Sequence, residues 1–451
     1  MLALGKADEA LAELATAADT APENADLCYR LASALELAER AKEAQQGWSR
    51  FIELEPEGER FERVKSGWVV LGTQALRPSL VESGGCSAVS PDGKHVAFIV
   101  VRRGIFRASL LEPGEPTLIA PCPEGWKQRH LAWSPDGASL LYHGFSGQPV
   151  GGHCLRRVPA AANQSPESIE LAGLKAPGKP AWSPSGDQIV LQEHHPRYIL
   201  FLLNVSTGER REFKLVNEAG EFVYAGTADY MPNGRELVAL GALDAQRQGL
   251  WRVDIDTGKV IAKLIDLRSS RSMFTIVAVS EDGTAVAGVS PGEPSLLAVA
   301  STSQPSHLIR LCEAFWESKP SWHPEGRKLV ARVLVRGQHR LAVVRLGGLD
   351  RRPVSIATRG AGNAMSATVT SRATAPQSVA LRWEAFDSMS RRLGPVTANE
   401  APVALKPGEQ VEWPLELSSE QKKSVRTVKV TVLNQDGVGA VKLVDWVEET
   451  E

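Results

Sequence analysis

A mainly β fold, a six-bladed β-propeller with an N-terminal α-helical repeat segment and a C-terminal β-sandwich, is predicted by three observations on this 451-residue chain. A turn of the form Ser-Pro-Asp-Gly returns six times through the middle of the sequence. The residues before it repeat with a different spacing, and those after it alternate apolar and polar without a helical period. The three patterns divide the chain into 1–72, 73–357 and 358–451, which suits a length greater than one hydrophobic core usually fills.

In the first segment, Ala10 and Ala44, Leu14 and Trp48, Ala17 and Phe51, and Pro22 and Pro56 all lie 34 residues apart. Apolar residues at i, i+3 and i+4 predict helices throughout, with Cys28, Leu31, Leu35, Trp48 and Phe51 as packing residues. The spacing and the stretch from Gly5 to Pro56 resemble the tetratricopeptide family, with Gly5 and Ala10 in the second helix of a repeat. The first repeat starts at about its eleventh position, so its opening helix is absent. A helical repeat does not bury its apolar face alone. The expectation is therefore an upstream helical segment or a partner covering Leu11 and Leu14.

The six copies of the middle motif begin at Ser90, Ser134, Ser183, Met231, Ser280 and His323, with spacings of 44, 49, 48, 49 and 43. Each has apolar residues before it, a turn, and an alternating run after it, which is a β-hairpin pattern. Glycine supplies the positive φ of the turn, and Asp or Asn before it bonds its own backbone. Thr-Gly turns in "LFLLNVSTGERREF" (200–213) and "LWRVDIDTGKVIAKL" (250–264) mark two further strands. Four strands per unit make a propeller blade. The aromatic residue before the turn is expected to face the neighbouring blade. Thr117 to Ala120 should be the outer strand of the first blade, and a short strand within Gln74 to Leu80 should close the ring beside Arg340 to Leu346. The "WSPDG" units at Trp133 and Trp182, with their variants, resemble the repeats of the TolB-like six-bladed propeller family over residues 74 to 357. The copies at Met231 and at Ser280, where Glu281 replaces proline, depart from that pattern. The resemblance implies a protein-binding platform, and related propellers also carry enzymes.

Beyond the Gly/Ala/Ser-rich joint 358–367, Val379, Leu381 and Trp383 alternate, as do Val428, Val430 and Val432 ahead of the hairpin signal "NQDGVG". Short strands without a helical period predict a small β-sandwich, similar to immunoglobulin-like or fibronectin-like accessory domains.

Lys and Arg number 51 against 53 Asp and Glu, a formal charge of −2, which argues against nucleic acid as a partner. No apolar run is long enough to span a membrane, and the first residues show no charged-then-apolar leader pattern. The five cysteines are scattered without CxxC spacing, which describes neither a disulfide framework nor a zinc site. "GVSPG" (288–292) matches the nucleophile-elbow pattern, but Ser290 lies between two strands where that elbow needs a strand and then a helix.

No catalytic, cofactor-binding or metal-ligating set is therefore assigned. The remaining candidate is a His- and Arg-rich rim at the ends of the second strands: Arg102, Arg103, His143, Glu193, His194, His195, Arg247, Arg336, His339 and Arg340. Imidazoles and guanidinium forks suit a metal or an anion, and the same residues suit a partner-docking surface. Adjacent strand-end side chains such as His194 and His195 diverge, so both do not ligate one ion. The expectation is a non-enzymatic interaction scaffold whose partners are other protein subunits. By the TolB-like resemblance it belongs to a bacterial envelope-associated, periplasmic assembly. The alternative is a lactonase- or glycosidase-like propeller enzyme with a site at the funnel mouth.

Overall fold

A computed structural model describes residues 7–76, 83–112, 114–146, 152–162, 167–169, 178–193, 199–216, 222–242, 248–266, 277–290, 292–302, 308–315, 318–360, 365–399 and 401–446. The chain forms two compact units: residues 1–74 with 344–351, and residues 75–343 with 352–451.

The first unit holds helices α1 (Ala7–Thr20), α2 (Ala25–Leu37), α3 (Ala41–Leu54) and α4 (Glu59–Ser66). Asn24 caps α2 by accepting hydrogen bonds from the N–H groups of Asp26 and Leu27, and left-handed Gly67 ends α4. Ala44, Trp48 and Phe51 recur at helical spacing on α3 and are fully buried against Cys28, Ala32 and Leu35 of α2. The Trp48 indole donates to Glu36 at 2.7 Å, which satisfies the polar atom carried into this core. The expectation for α1 needs correction, because Leu11 is buried within this same cluster and Leu14 is half-buried. For Leu11 the cover comes from this cluster, where α1 packs along α2.

Most of a six-bladed propeller lies in the second unit. Its sheets run, inner strand first, from Ser83–Val89 to Thr117–Pro121 (blade 1), Trp126–Trp133 to Glu167–Ile169 (blade 2), and Ala181–Trp182 to Arg210–Phe213 (blade 3). Blade 4 runs from Phe222–Tyr230 to Val260–Asp266, with Leu215–Val216 added on its inner side, and blade 5 from Ala278–Val279 to Ile309–Glu313. The sixth sheet has the order Ser321–Trp322, Lys328–Val335, Gln338–Gly347, Val69–Ala75. Successive inner strands pack on one another, and those of blades 6 and 1 meet to close the ring. The closing strand starts earlier than the sequence suggested, at Val69, and lies beside the expected partner; Leu76 N–H donates to Leu341 O at 2.9 Å. Arg77 to Leu80 lie outside the described residues.

The turn between the first two strands of each blade explains its own sequence. In blade 1, Ser90 Oγ donates to Asp92 Oδ1 (2.6 Å) and accepts from His95 N–H (2.9 Å), while Asp92 Oδ1 accepts from Lys94 N–H (3.1 Å). Gly93, at φ 71°, donates back to Ser90 O. The pattern recurs at Ser134–Asp136–Ser139 and Ser280–Asp282–Ala285. The serine, whose role the turn-residue logic alone does not supply, stitches the turn to the second strand.

The last segment is two antiparallel sheets over one core. Val354–Arg359, Ser366–Ser371 and Gln410–Pro414 form one sheet. Gln377–Phe386, Thr427–Asn434 and Gly439–Asp445 form the body of the other, with Leu381 opposite Val432 and Trp383 opposite Val430, as their alternation predicts. Val354, Val369, Leu381, Trp383 and Val430 share the buried core. The boundary at 358 needs correction: Val354–Arg359 is one strand, and it pairs with Ser366–Ser371 rather than with the last blade. The sandwich docks on the turn end of the propeller. Arg392 N–H donates to Asp136 O (2.7 Å), Gly439 N–H to Asp282 O (2.8 Å), and Leu443 N–H to Glu325 Oε1 (3.2 Å). A Cβ on Gly137 would lie 1.6 Å from Ser390 O, so the motif glycine there serves the docked segment as well as the turn.

Candidate functional site

Because the turns of the motif face the sandwich, the far ends of the second strands gather at the opposite, open end of the ring. Arg102 and Arg336, both at positive φ, and Arg103 are exposed in the turns that follow Val100 and Val335. The Arg103 guanidinium lies 5.4 Å from the Phe106 ring centroid. His339 Nε2 is 3.8 Å from Glu313 of blade 5, and Arg340 donates to Gln338 Oε1 at 2.6 Å. His194, His195 and Arg247 lie outside the described residues.

Two of the expected rim residues are not rim side chains. His143 (4% exposed) and Glu193 (7%) are buried. In these two blades the second strand is covered on both faces by its neighbours, so alternation brings neither side chain to water. Glu193 meets Arg210 of its own blade at 3.5 Å. His143 Nε2 is 2.9 Å from His153 Nδ1, and its ring stacks on His130 and Phe145. This grouping of three histidines in blade 2 was not legible in the sequence, since His130 and His153 sit on different strands and only the pairing brings them to His143. Arg129 and Lys127 lie over Phe145 at 5.1 and 5.7 Å, so the cluster is basic. Among the described residues no group of three or more His, Cys, Asp or Glu could hold a metal ion. Ser290 ends Ala285–Ser290 and pairs with Leu296 on the next strand, a strand-to-strand connection.

At the turn end, a cavity of about 220 Å³ on the propeller axis is lined by all six inner strands and closed by Arg382, Glu384 and Lys429 of the sandwich. Lys429 Nζ, almost wholly buried, is 3.1 Å from Glu281 and 3.3 Å from Glu384, which Arg392 also meets at 3.2 Å. Burial opposes the charge of Glu384, but Lys429, Arg382 and Arg392 outweigh it and hold the carboxyl below its usual range. The Trp322 indole donates to Ala278 O of blade 5 at 2.8 Å, so in blade 6 the aromatic before the turn faces the neighbouring blade.

No family model matches the chain, and no curated protein matches it. Solved structures with a similar arrangement include an oligogalacturonate lyase in complex with manganese, 16% identical, covering 58% of this chain and 76% of that one with a TM-score of 0.42. TolB from Acinetobacter baumannii is 14% identical over 82% of this chain and 73% of its own, with a TM-score of 0.40. The Cps50 (Swd1) β-propeller domain of Myceliophteria thermophila is 14% identical over 60% of this chain and 99% of its own, at 0.41. At these identities and scores, none of their activities or partners carries over to this chain.

Proposed function

We propose that this chain is a non-enzymatic scaffold for other protein subunits, in a bacterial envelope-associated assembly, with the open end of the propeller as its docking face. The observation that carries the reading is the asymmetry of the ring. The sandwich occupies one end through backbone hydrogen bonds and buried ion pairs, which leaves the other end to present exposed Arg102, Arg103 and Arg336. Exposed arginines beside an aromatic ring suit protein interfaces, where Arg and aromatic residues are enriched. The TolB-like repeats support the envelope setting, and the tetratricopeptide-like and immunoglobulin-like character of the flanking parts belongs to the same reading. The test is affinity capture of native complexes with wild type and with an Arg102→Glu/Arg103→Glu/Arg336→Glu variant. Loss of a defined partner from a variant that still folds is the expected result. Retention of every partner would exclude the rim, and turnover of a lactone or glycoside by purified protein would favour a propeller enzyme instead.

A further inference from the structure

The sandwich has an open side. Among the described residues, Gln410–Pro414 is the outermost strand of one sheet and Thr397–Ala398 that of the other, so each leaves one edge unpaired. A groove of about 800 Å³ takes Thr397 from one edge and Trp413 and Pro414 from the other. That volume suits a drug-sized ligand or a short stretch of chain rather than an ion. Every residue lining it belongs to the sandwich, so no propeller residue takes part.

The walls are largely apolar. Trp383 is 8% exposed, and its indole donates to Glu416 O at 3.1 Å, which fixes it in place. Trp413 is half-buried, and its indole N–H has no hydrogen-bond partner among the described residues. Leu393 and the exposed prolines Pro395 and Pro414 add further apolar wall. The charges are of one sign. Glu416 and Glu420 are exposed and have no ion pair among the described residues, none of which lines the groove with Lys or Arg.

The backbone of the edge decides what conformation fits. Leu415 N–H donates inward to Met365 O at 2.9 Å, so the alternate position, Pro414, is one whose N–H would face outward, and proline has none. An added β-strand therefore meets an interrupted ladder. A polyproline II segment needs no ladder, because its carbonyls are unpaired and its rings dock on aromatic walls. Its carbonyls give the Trp413 indole an acceptor, and the two carboxylates select a basic residue.

We propose that this groove binds a proline-rich, basic segment of another protein in the polyproline II conformation, with prolines against Trp413 and Pro395 and a Lys or Arg beside Glu416 and Glu420.

The test uses the full chain and a fluorescein-labelled peptide of four Pro-Pro-Arg repeats, read by fluorescence anisotropy. Peptides of four Pro-Pro-Glu and four Gly-Ser-Arg repeats control for charge and for conformation. Saturable binding of the first, and binding about tenfold or more weaker for both controls, is the expected result. Trp413→Ala should weaken binding by about thirtyfold or more, the loss expected of an aromatic anchor. Glu416→Lys/Glu420→Lys should weaken it by about tenfold or more. Trp413 also packs on the sandwich core, so the lysine variant, at two exposed positions, decides the matter should Trp413→Ala fail to fold. No saturable binding, equal binding of the Gly-Ser-Arg peptide, or an unchanged affinity in the lysine variant would overturn the proposal. So would tighter binding of a peptide of Thr-Lys repeats, which would mean an added strand, or a dimer of the free chain that the lysine variant dissociates, which would mean a second copy.

Discussion

The two ends of the propeller are built from the same six hairpins and resemble each other in nothing else. At the turn end, each motif repeats the same backbone hydrogen bond from its glycine to its first residue, and Gly137 lies so close to the sandwich that no side chain fits there. At the open end the connections share no motif, and the charged groups there meet, where they meet at all, within one blade or between neighbours. The repeating end is thus the structural one, and the variable end is where individuality is free to accumulate.

The largest expected effect tests whether the motif glycine has a second task. Gly137 and Gly208 both have φ near 70°, but nothing lies within 4 Å of a Cβ on Gly208. Gly208→Ala should cost only the left-handed strain, about 1 kcal/mol. Gly137→Ala adds a collision with the Ser390 carbonyl and should cost about 4 kcal/mol or more, the strain plus forced overpacking. Urea unfolding measures both, and equal losses would mean that the docked segment yields without cost.

Next in size is Lys429→Met. The substitution strands Glu384 beside Arg382 and Arg392 with one cation fewer, and removing one partner of a buried pair should cost about 3 kcal/mol. Chemical denaturation gives the value. A neutral or stabilising result would show that the sandwich is held by shape and backbone bonds alone.

His323 separates the ends by pH. It takes the place of the motif serine in blade 6, and burial, reinforced by Lys328, lowers its imidazole to about 4. A base whose folded value lies below its unfolded one is destabilising when charged, so stability is lost as pH falls from about 6.5 through 4. The contribution is on the order of 3 kcal/mol. His323→Ser should flatten the melting temperature over that window and change little above pH 7. An unchanged acid limb would assign the loss to other groups.

How much of this was legible follows from the same division. The hairpins, the outer strand Thr117–Pro121 and the buried alternation of Val379, Leu381 and Trp383 were readable because each follows from local spacing. The docking of the sandwich was not, because Ser390 and Gly437 belong to no repeat and meet their partners only after the ring closes. His143 and Glu193 were placed on a rim because strand ends are usually wet, whereas packing between blades buries both faces. A 34-residue repeat logic assigns the partner of Leu11 to a preceding helix, whereas here the cluster with α2 buries it.

The smallest expected effect is the sharpest probe of the open end. Arg102 and Arg336 are exposed and have no ion pair among the described residues, and Arg103 rests its guanidinium on Phe106 at the surface. Their positive φ is already accommodated, so Arg102→Asn and Arg336→Asn keep a residue that tolerates that conformation while removing the charge. Both substitutions should change unfolding free energy by less than about 0.5 kcal/mol, the range of surface changes away from structural features. The same two variants should weaken binding of any acidic partner and reduce its dependence on salt, because exposed charges steer association and are screened within about 10 Å at 0.1 M salt. Unfolding curves and association rates at two ionic strengths separate the outcomes. A loss of stability comparable to that of Lys429→Met would mean that the open end is structural too, and the contrast between the two ends of the ring would then be one of sequence only.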